Sequence, residues 1–162
     1  MSHSFGKLLV PVLLLAAAPV GFVFAAAQAG VPGSTAAVNV DAQGVGLGGF
    51  DPVAYFDTGK PTHGMPTLST RYDGATYFFA TAAHRAAFLK DPVKYIPEFG
   101  GYCVVGASFG KKVDVDPETG KVVNGKLYLN NSQRALDIFD KDQSGTIDRA
   151  QTNWPEVKDA AL

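Results

Sequence analysis

The chain has 162 residues, 14 Lys+Arg against 15 Asp+Glu, 46% hydrophobic and 18% charged residues, and a single cysteine. A near-neutral balance without basic runs excludes the electrostatic footprint of a nucleic-acid binder. One cysteine supplies neither an internal disulfide nor the ligand set of a structural zinc, and collagen-like and disordered compositions are excluded as well.

Met1 to Lys7 carries one cation and no acid, Leu8 to Ala27 is uncharged and rich in Leu, Val and Ala, and Ala27-Gln28-Ala29 supplies small residues ahead of Gly30. This is the layout of a secretory signal peptide over residues 1–29, cleaved after Ala29. The alternative is an uncleaved membrane anchor, because the run approaches the ~20 residues that span a bilayer. Pro11, Pro19, Gly21 and the small-residue end favour cleavage and hence a periplasmic or extracellular protein. Processing there removes one lysine and no acid, leaving 13 cations against 15 acids. In an oxidising compartment Cys103 has no intramolecular partner, so it is buried, reactive, paired with another chain or bound to metal.

Residues 30–44, rich in Ala, Gly, Val and Ser, are predicted as a linker, with one domain over 45–162. Val53-Ala54-Tyr55-Phe56 reads as strand-like. Asp73-Gly74, between aromatic and β-branched residues, predicts a tight hairpin, and Asn124-Gly125 predicts a second. Between them Thr81 caps a helix over Ala82 to Lys90, and Asp91-Pro92 ends it and starts a short turn of helix through Tyr95. Tyr102-Cys103-Val104-Val105 again looks like a strand. Ser132 to Phe139 and Thr146 to Asn153 are predicted helices, with Pro155 stopping the last. The expected fold is a small single-domain α+β protein with short antiparallel hairpins and three to four short helices. Its core is expected to hold Phe50, Tyr55, Tyr77, Phe79, Phe88, Tyr95, Tyr102, Tyr128, Leu129, Leu136, Ile147 and Trp154.

Three motif matches need their context. Gly44-Val45-Gly46-Leu47-Gly48-Gly49 satisfies the dinucleotide pattern but has a linker before it and no helix after it, so no cofactor site is assigned. Gly106-Ala107-Ser108-Phe109-Gly110 satisfies the nucleophile-elbow pattern, yet all three histidines precede Ser108, which is read as a loop residue. From Asp140 to Gln151 the spacing follows a calcium loop, with Asp140, Asp142, Ser144 and Asp148 at ligand positions and Gly145 at the turn. Gln151 stands where a bidentate glutamate closes the coordination shell, so the alternative is two helices with Ser144 as N-cap.

Cys103, His84, His63 and Met65 are the soft or borderline metal ligands after the signal, and thiolate, imidazole and thioether together suit copper. His84 lies one helical turn before Phe88 and should share its inward face, either as a ligand or as a buried histidine with one hydrogen bond. His63-Gly64-Met65 is assigned to a polar loop. Cys103 with His84 is also the minimum for nucleophilic catalysis, but no third orienting group is identifiable.

The series Gly49-Phe50-Asp51-Pro52-Val53-Ala54-Tyr55-Phe56, Tyr77-Phe78-Phe79, Phe88 to Tyr95, Gly100-Gly101-Tyr102-Cys103, Gly125 to Asn130 and Asn153-Trp154-Pro155 resembles exported YHS-domain proteins over about Gly48 to Val157. Related YHS domains in copper-transporting ATPases hold metal through cysteines after an Asp-Pro-Val start and along the helix entry. Carried over, those positions are Ala54, Ala80 and His84, so one keeps a ligand type. Cys103 belongs to the Gly-Gly-Tyr-Cys stretch of the exported branch, and the resemblance also implies that the Asp140 to Ser144 region is a structural turn.

The leading expectation is an exported binding module handling copper or another soft metal through Cys103 and His84, supplemented by His63 and Met65. Its partner is then the metal ion or another exported protein. A protein-interaction or structural module in which both residues only pack is the second reading. A thiol enzyme using Cys103 is the third, and the reading leans away from an enzyme.

Overall fold

The computed structural model describes Met1 and residues 30–162; the predicted signal segment lies outside the described residues. Both hairpins form where the turn chemistry placed them. Asp73 and Gly74 take φ of 45° and 82°, and Asn124 and Gly125 take 50° and 74°, as the tight turns require. They join β1 (Met65–Tyr72) to β2 (Ala75–Phe79) and β3 (Asp116–Val123) to β4 (Lys126–Asn130). Each pair is an antiparallel sheet of its own. Along β2 the buried residues alternate as Ala75, Tyr77 and Phe79, so one face of the first hairpin meets the core.

Two apolar runs predicted as strands are short helices instead. α1 is Ala54–Asp57 and α4 is Val104–Ser108. The cause lies just before each run. Asp51 Oδ1 accepts the N–H of Val53 at 2.8 Å, turning the chain at Asp51-Pro52, and Cys103 is the N-cap of α4, its Sγ accepting the N–H of Gly106 at 3.4 Å. Val53, Ala54 and Tyr55 are buried consecutively, as are Tyr102 to Val105, so neither run carries the alternation of a half-exposed strand. Ser108, read as a loop residue, ends α4 and is buried, its hydroxyl donating to the Val105 carbonyl at 2.8 Å.

α2 (Ala82–Lys90) and α3 (Pro92–Tyr95) match their predicted bounds, with Thr81 capping α2 and Pro92 opening α3. α5 spans Gln133–Lys141 under a Ser132 cap. α6 runs over Gln143–Val157, earlier and later than expected. Its N-cap is Asp142, which accepts the Gly145 N–H at 3.0 Å, not Ser144. Pro155 does not stop the helix: it sits in the last turn, where only one ladder bond is lost. Asn153 holds that turn by donating to the Ala107 and Ser108 carbonyls.

The predicted linker is part of the domain. Asn39 is buried, its amide donating to Gly101 O and Asp114 Oδ1, Tyr102 donates its hydroxyl to Ala36 O, and Val38 and Val40 pack on the core. Polar anchoring, which composition does not display, outweighs the coil-like sequence. At the centre Phe88 is fully buried among Tyr72, Tyr77, Phe79 and Tyr95. Tyr95, Leu136, Ile147 and Trp154 from the expected core are partly buried and pack against the core cluster.

Candidate functional site

Asp51 organises a polar junction in the interior. Its side chain is fully buried, Oδ1 serving Val53 and Oδ2 accepting the Ala80 N–H at 2.8 Å while facing His84 Nδ1 at 2.6 Å. One carboxylate thus joins the start of α1, the end of β2 and the first turn of α2. Hydrogen bonds to an ionised acceptor are about twice as strong as neutral ones, which suits this junction.

His84 is set by its helix. Thr81 Oγ1 accepts the His84 N–H at 3.0 Å, fixing the first turn of α2 so that the imidazole projects towards Asp51. With Nδ1 committed there, Nε2 faces outward, 3.3 Å from Oδ2 of Asp57, a side chain that is 62% exposed at the end of α1. Both contacts are hydrogen bonds together only when each ring nitrogen carries a proton. Burial lowers the basicity of His84, but the hydrogen bonds and charges of Asp51 and then Asp57 outweigh it, so the pKa is raised above its ordinary 6.5.

Nε2 opens into a cleft of about 440 Å³ between α1, α2 and α3. Val53, Phe56, Ala87 and Tyr95 give it apolar walls, and Asp57, His84 and Lys94 supply charge. The Lys94 ammonium lies 5.0 Å from the Tyr95 ring centroid, and Phe56 meets that ring edge-on at 5.2 Å. The volume falls in the range of small-molecule sites, roughly 300–1,000 Å³.

A raised folded-state pKa has a defined sign in stability. His84's contribution is complete below its ordinary value and fades as pH rises through the raised folded value. The difference in urea midpoint between the parent protein and His84→Gln is therefore expected to be larger at pH 5.5 than at pH 8.5. A difference that stays flat or grows with pH would reject the protonated bridge.

Cys103 occupies another part of the fold. It is 2% exposed, its N–H donates to the Val113 carbonyl, it bridges to Leu129 of β4, and it is not one of the residues lining the cleft. Burial pushes the thiol pKa up despite N–H donors to the sulfur, the direction opposite to an activated nucleophile. Iodoacetamide is expected to leave native Cys103 unmodified over hours and to label it in urea, read by intact mass; fast native labelling would contradict this burial.

The other expected ligands are also dispersed. His63 is exposed and stacks on Phe50 with centroids 3.9 Å apart, while Met65 opens β1 and is 46% exposed. The calcium-loop spacing falls on helix: Asp140 pairs with Lys121 at 2.6 Å, Asp142 caps α6 and pairs with Arg149, and Ser144 and Asp148 lie within α6. A helical backbone fans those oxygens around its axis rather than converging them on an ion. Among the described residues no group of three or more His, Cys, Asp or Glu side chains is placed to hold a metal.

Sequence reasoning found His84 but missed Asp51, Asp57 and Lys94. Asp51-Pro52 was visible as a motif, and an acid in such a turn is a standard device for reaching backbone N–H groups. Nothing local linked it to a histidine 33 positions later. Compared with known proteins, the chain matches no protein family, no curated protein and no solved structure.

Proposed function

We propose that the chain is an exported YHS-type binding module that receives a small anionic amphiphile, a carboxylate or phosphate on an apolar body, in the cleft between α1, α2 and α3. The observation that carries this reading is the imidazole locked through Nδ1 on buried Asp51, with Nε2 directed into a cleft that also holds Lys94. Two cationic donors beside aromatic and aliphatic walls fit an anionic head and an apolar tail. Asp57 now stands near the place of the ligand's oxygen, but at 3.3 Å its contact is longer than the ~2.7–2.9 Å of a strong charge-assisted bond. Being well exposed, it is free to turn aside. The YHS assignment rests on the motif series from Gly49 to Pro155, and export rests on the composition of residues 1–29. The soft-metal form of such a module has no group of three or more His, Cys, Asp or Glu side chains among the described residues to carry it, and no step is derived through copper.

The test is a titration with phenylacetate and with hexanoate at pH 6, followed by the NMR signals of the His84 imidazole and of Tyr95. Binding is expected to weaken at least tenfold in His84→Gln and in Lys94→Gln and to be unchanged in His63→Gln. Unmoved cleft signals with both probes, or equal affinity in His84→Gln, would overturn the reading.

A further inference from the structure

A second set of polar groups converges far from the cleft in sequence, around the backbone nitrogen of Gly30. The Gly30 N–H donates to Asp114 Oδ2 at 3.1 Å. Asp114 Oδ1 is occupied by the Asn39 amide at 2.9 Å and the Val115 N–H at 2.8 Å. Asn39 is 3% exposed and its Nδ2 is also shared with the Gly101 carbonyl, yet its Oδ1 has no hydrogen-bond partner among the described residues. That oxygen lies against Gly30: a β-carbon added there would run into Asn39 Oδ1, and would lie 2.8 Å from the Leu162 side chain and 3.0 Å from Asp114 Oδ1. Residues just beyond Gly30 are anchored separately. Gly33 and Ser34 pair with the backbone of Leu162, and Lys112 Nζ donates to the carbonyls of Ser34, Lys158 and Ala160.

A buried acceptor without a donor is costly and calls for an explanation. A peptide nitrogen brings one proton to this place, and Asp114 takes it. An α-ammonium brings three, one for Asp114 Oδ2, one for Asn39 Oδ1 and one for solvent, together with the positive charge that a carboxylate in this setting favours. We propose that the chain is processed at the Ala29–Gly30 bond and that the Gly30 ammonium so created docks between Asp114 and Asn39 as an integral part of the mature fold. Hydrolysis by a processing endopeptidase breaks the Ala29 C–N bond; water's hydroxyl goes to the Ala29 carbonyl carbon, and the Gly30 amine takes up protons to become the ammonium. Glycine is required at this terminus because every side chain meets the same wall of oxygens and Leu162. Composition marks the same bond independently, through the apolar run and Ala27-Gln28-Ala29. The inference rests on the proposed export of the chain and not on what the α1–α2–α3 cleft binds.

The test expresses the full chain in an exporting bacterial host and reads the mature protein by intact mass and N-terminal sequencing, then titrates its terminal amine by competitive acetylation. Gly30 is expected as the first residue, with an amine that titrates at least one pH unit above the ~8 of a free α-amine. Asp114→Asn is expected to return it to that ordinary value. Because Asp114 also holds Asn39 and Val115, Gly30→Ala serves as a second variant: its amine cannot seat and should also titrate normally. An unprocessed chain, a different first residue, or an ordinary amine in the parent protein would each overturn the proposal.

Discussion

Replacing Asp51 with alanine is expected to cost about 3–5 kcal/mol of folding free energy, the loss typical when one partner of a buried charged pair is removed. The substitution strips three donors of their acceptor at once: the N–H groups of Val53 and Ala80 and the Nδ1–H of His84. Each buried orphan costs about 1–3 kcal/mol, moderated where water can enter. Because a domain of this size is stable by only about 5–15 kcal/mol, such a loss is a large fraction of the total. Urea unfolding at pH 6 measures it, with an unchanged slope showing that the unfolded state is the same. Asp51→Asn should recover only part of the loss, since its NH₂ presents a donor where one of these three donors needs an acceptor. His84→Gln should cost less than Asp51→Ala, as it leaves the two backbone bonds of the carboxylate intact. A penalty below about 1 kcal/mol for Asp51→Ala would mean that water replaces the carboxylate and that Asp51 is not the junction of α1, β2 and α2.

The ease of reading this fold from sequence varied with how local its causes are. Asp73-Gly74 and Asn124-Gly125 demand positive φ within the dipeptide itself, and Thr81 and Pro92 act within one helical turn, so these elements were legible. Val53 to Phe56 and Tyr102 to Val105 were not. A four-residue apolar run has no period that separates strand from helix, and the deciding bonds come from Asp51 and Cys103, whose capping role shows only in three dimensions. Residues 30–44 looked like a linker because their anchors, Gly101, Tyr102 and Asp114, lie 62 to 84 positions away. The site divides the same way. His84 was singled out by its helical spacing from Phe88, whereas grouping it with Cys103, His63 and Met65 relied on ligand chemistry without geometry. The structure couples it instead to two aspartates, 33 and 27 positions earlier.

The same side-chain truncation at two phenylalanines should give opposite results. Phe88→Ala is expected to destabilise by about 3–5 kcal/mol, through lost transfer energy and the cavity left in a packed interior. Phe88 is fully buried, with ring centroids 5.1 Å from Phe79, 5.3 Å from Tyr77, 5.9 Å from Tyr72 and 6.4 Å from Tyr95. Those rings come from both strands of the first hairpin and from α3, so no single neighbour can move to fill the space without giving up contacts elsewhere. Aromatic pairs in such geometry add about 0.5–1.5 kcal/mol beyond area burial. Phe109, following α4, is 68% exposed, and Phe109→Ala should stay within about 0.5 kcal/mol of the parent. The pair also reaches the cleft. Phe88 anchors α2 one turn after His84, so at a urea concentration where Phe88→Ala remains folded, its affinity for phenylacetate should fall while that of Phe109→Ala holds. Equal stability losses at the two positions would contradict a core centred on Phe88, and unaltered ligand affinity in a destabilised Phe88→Ala would show that the seating of His84 is independent of the packing beneath it.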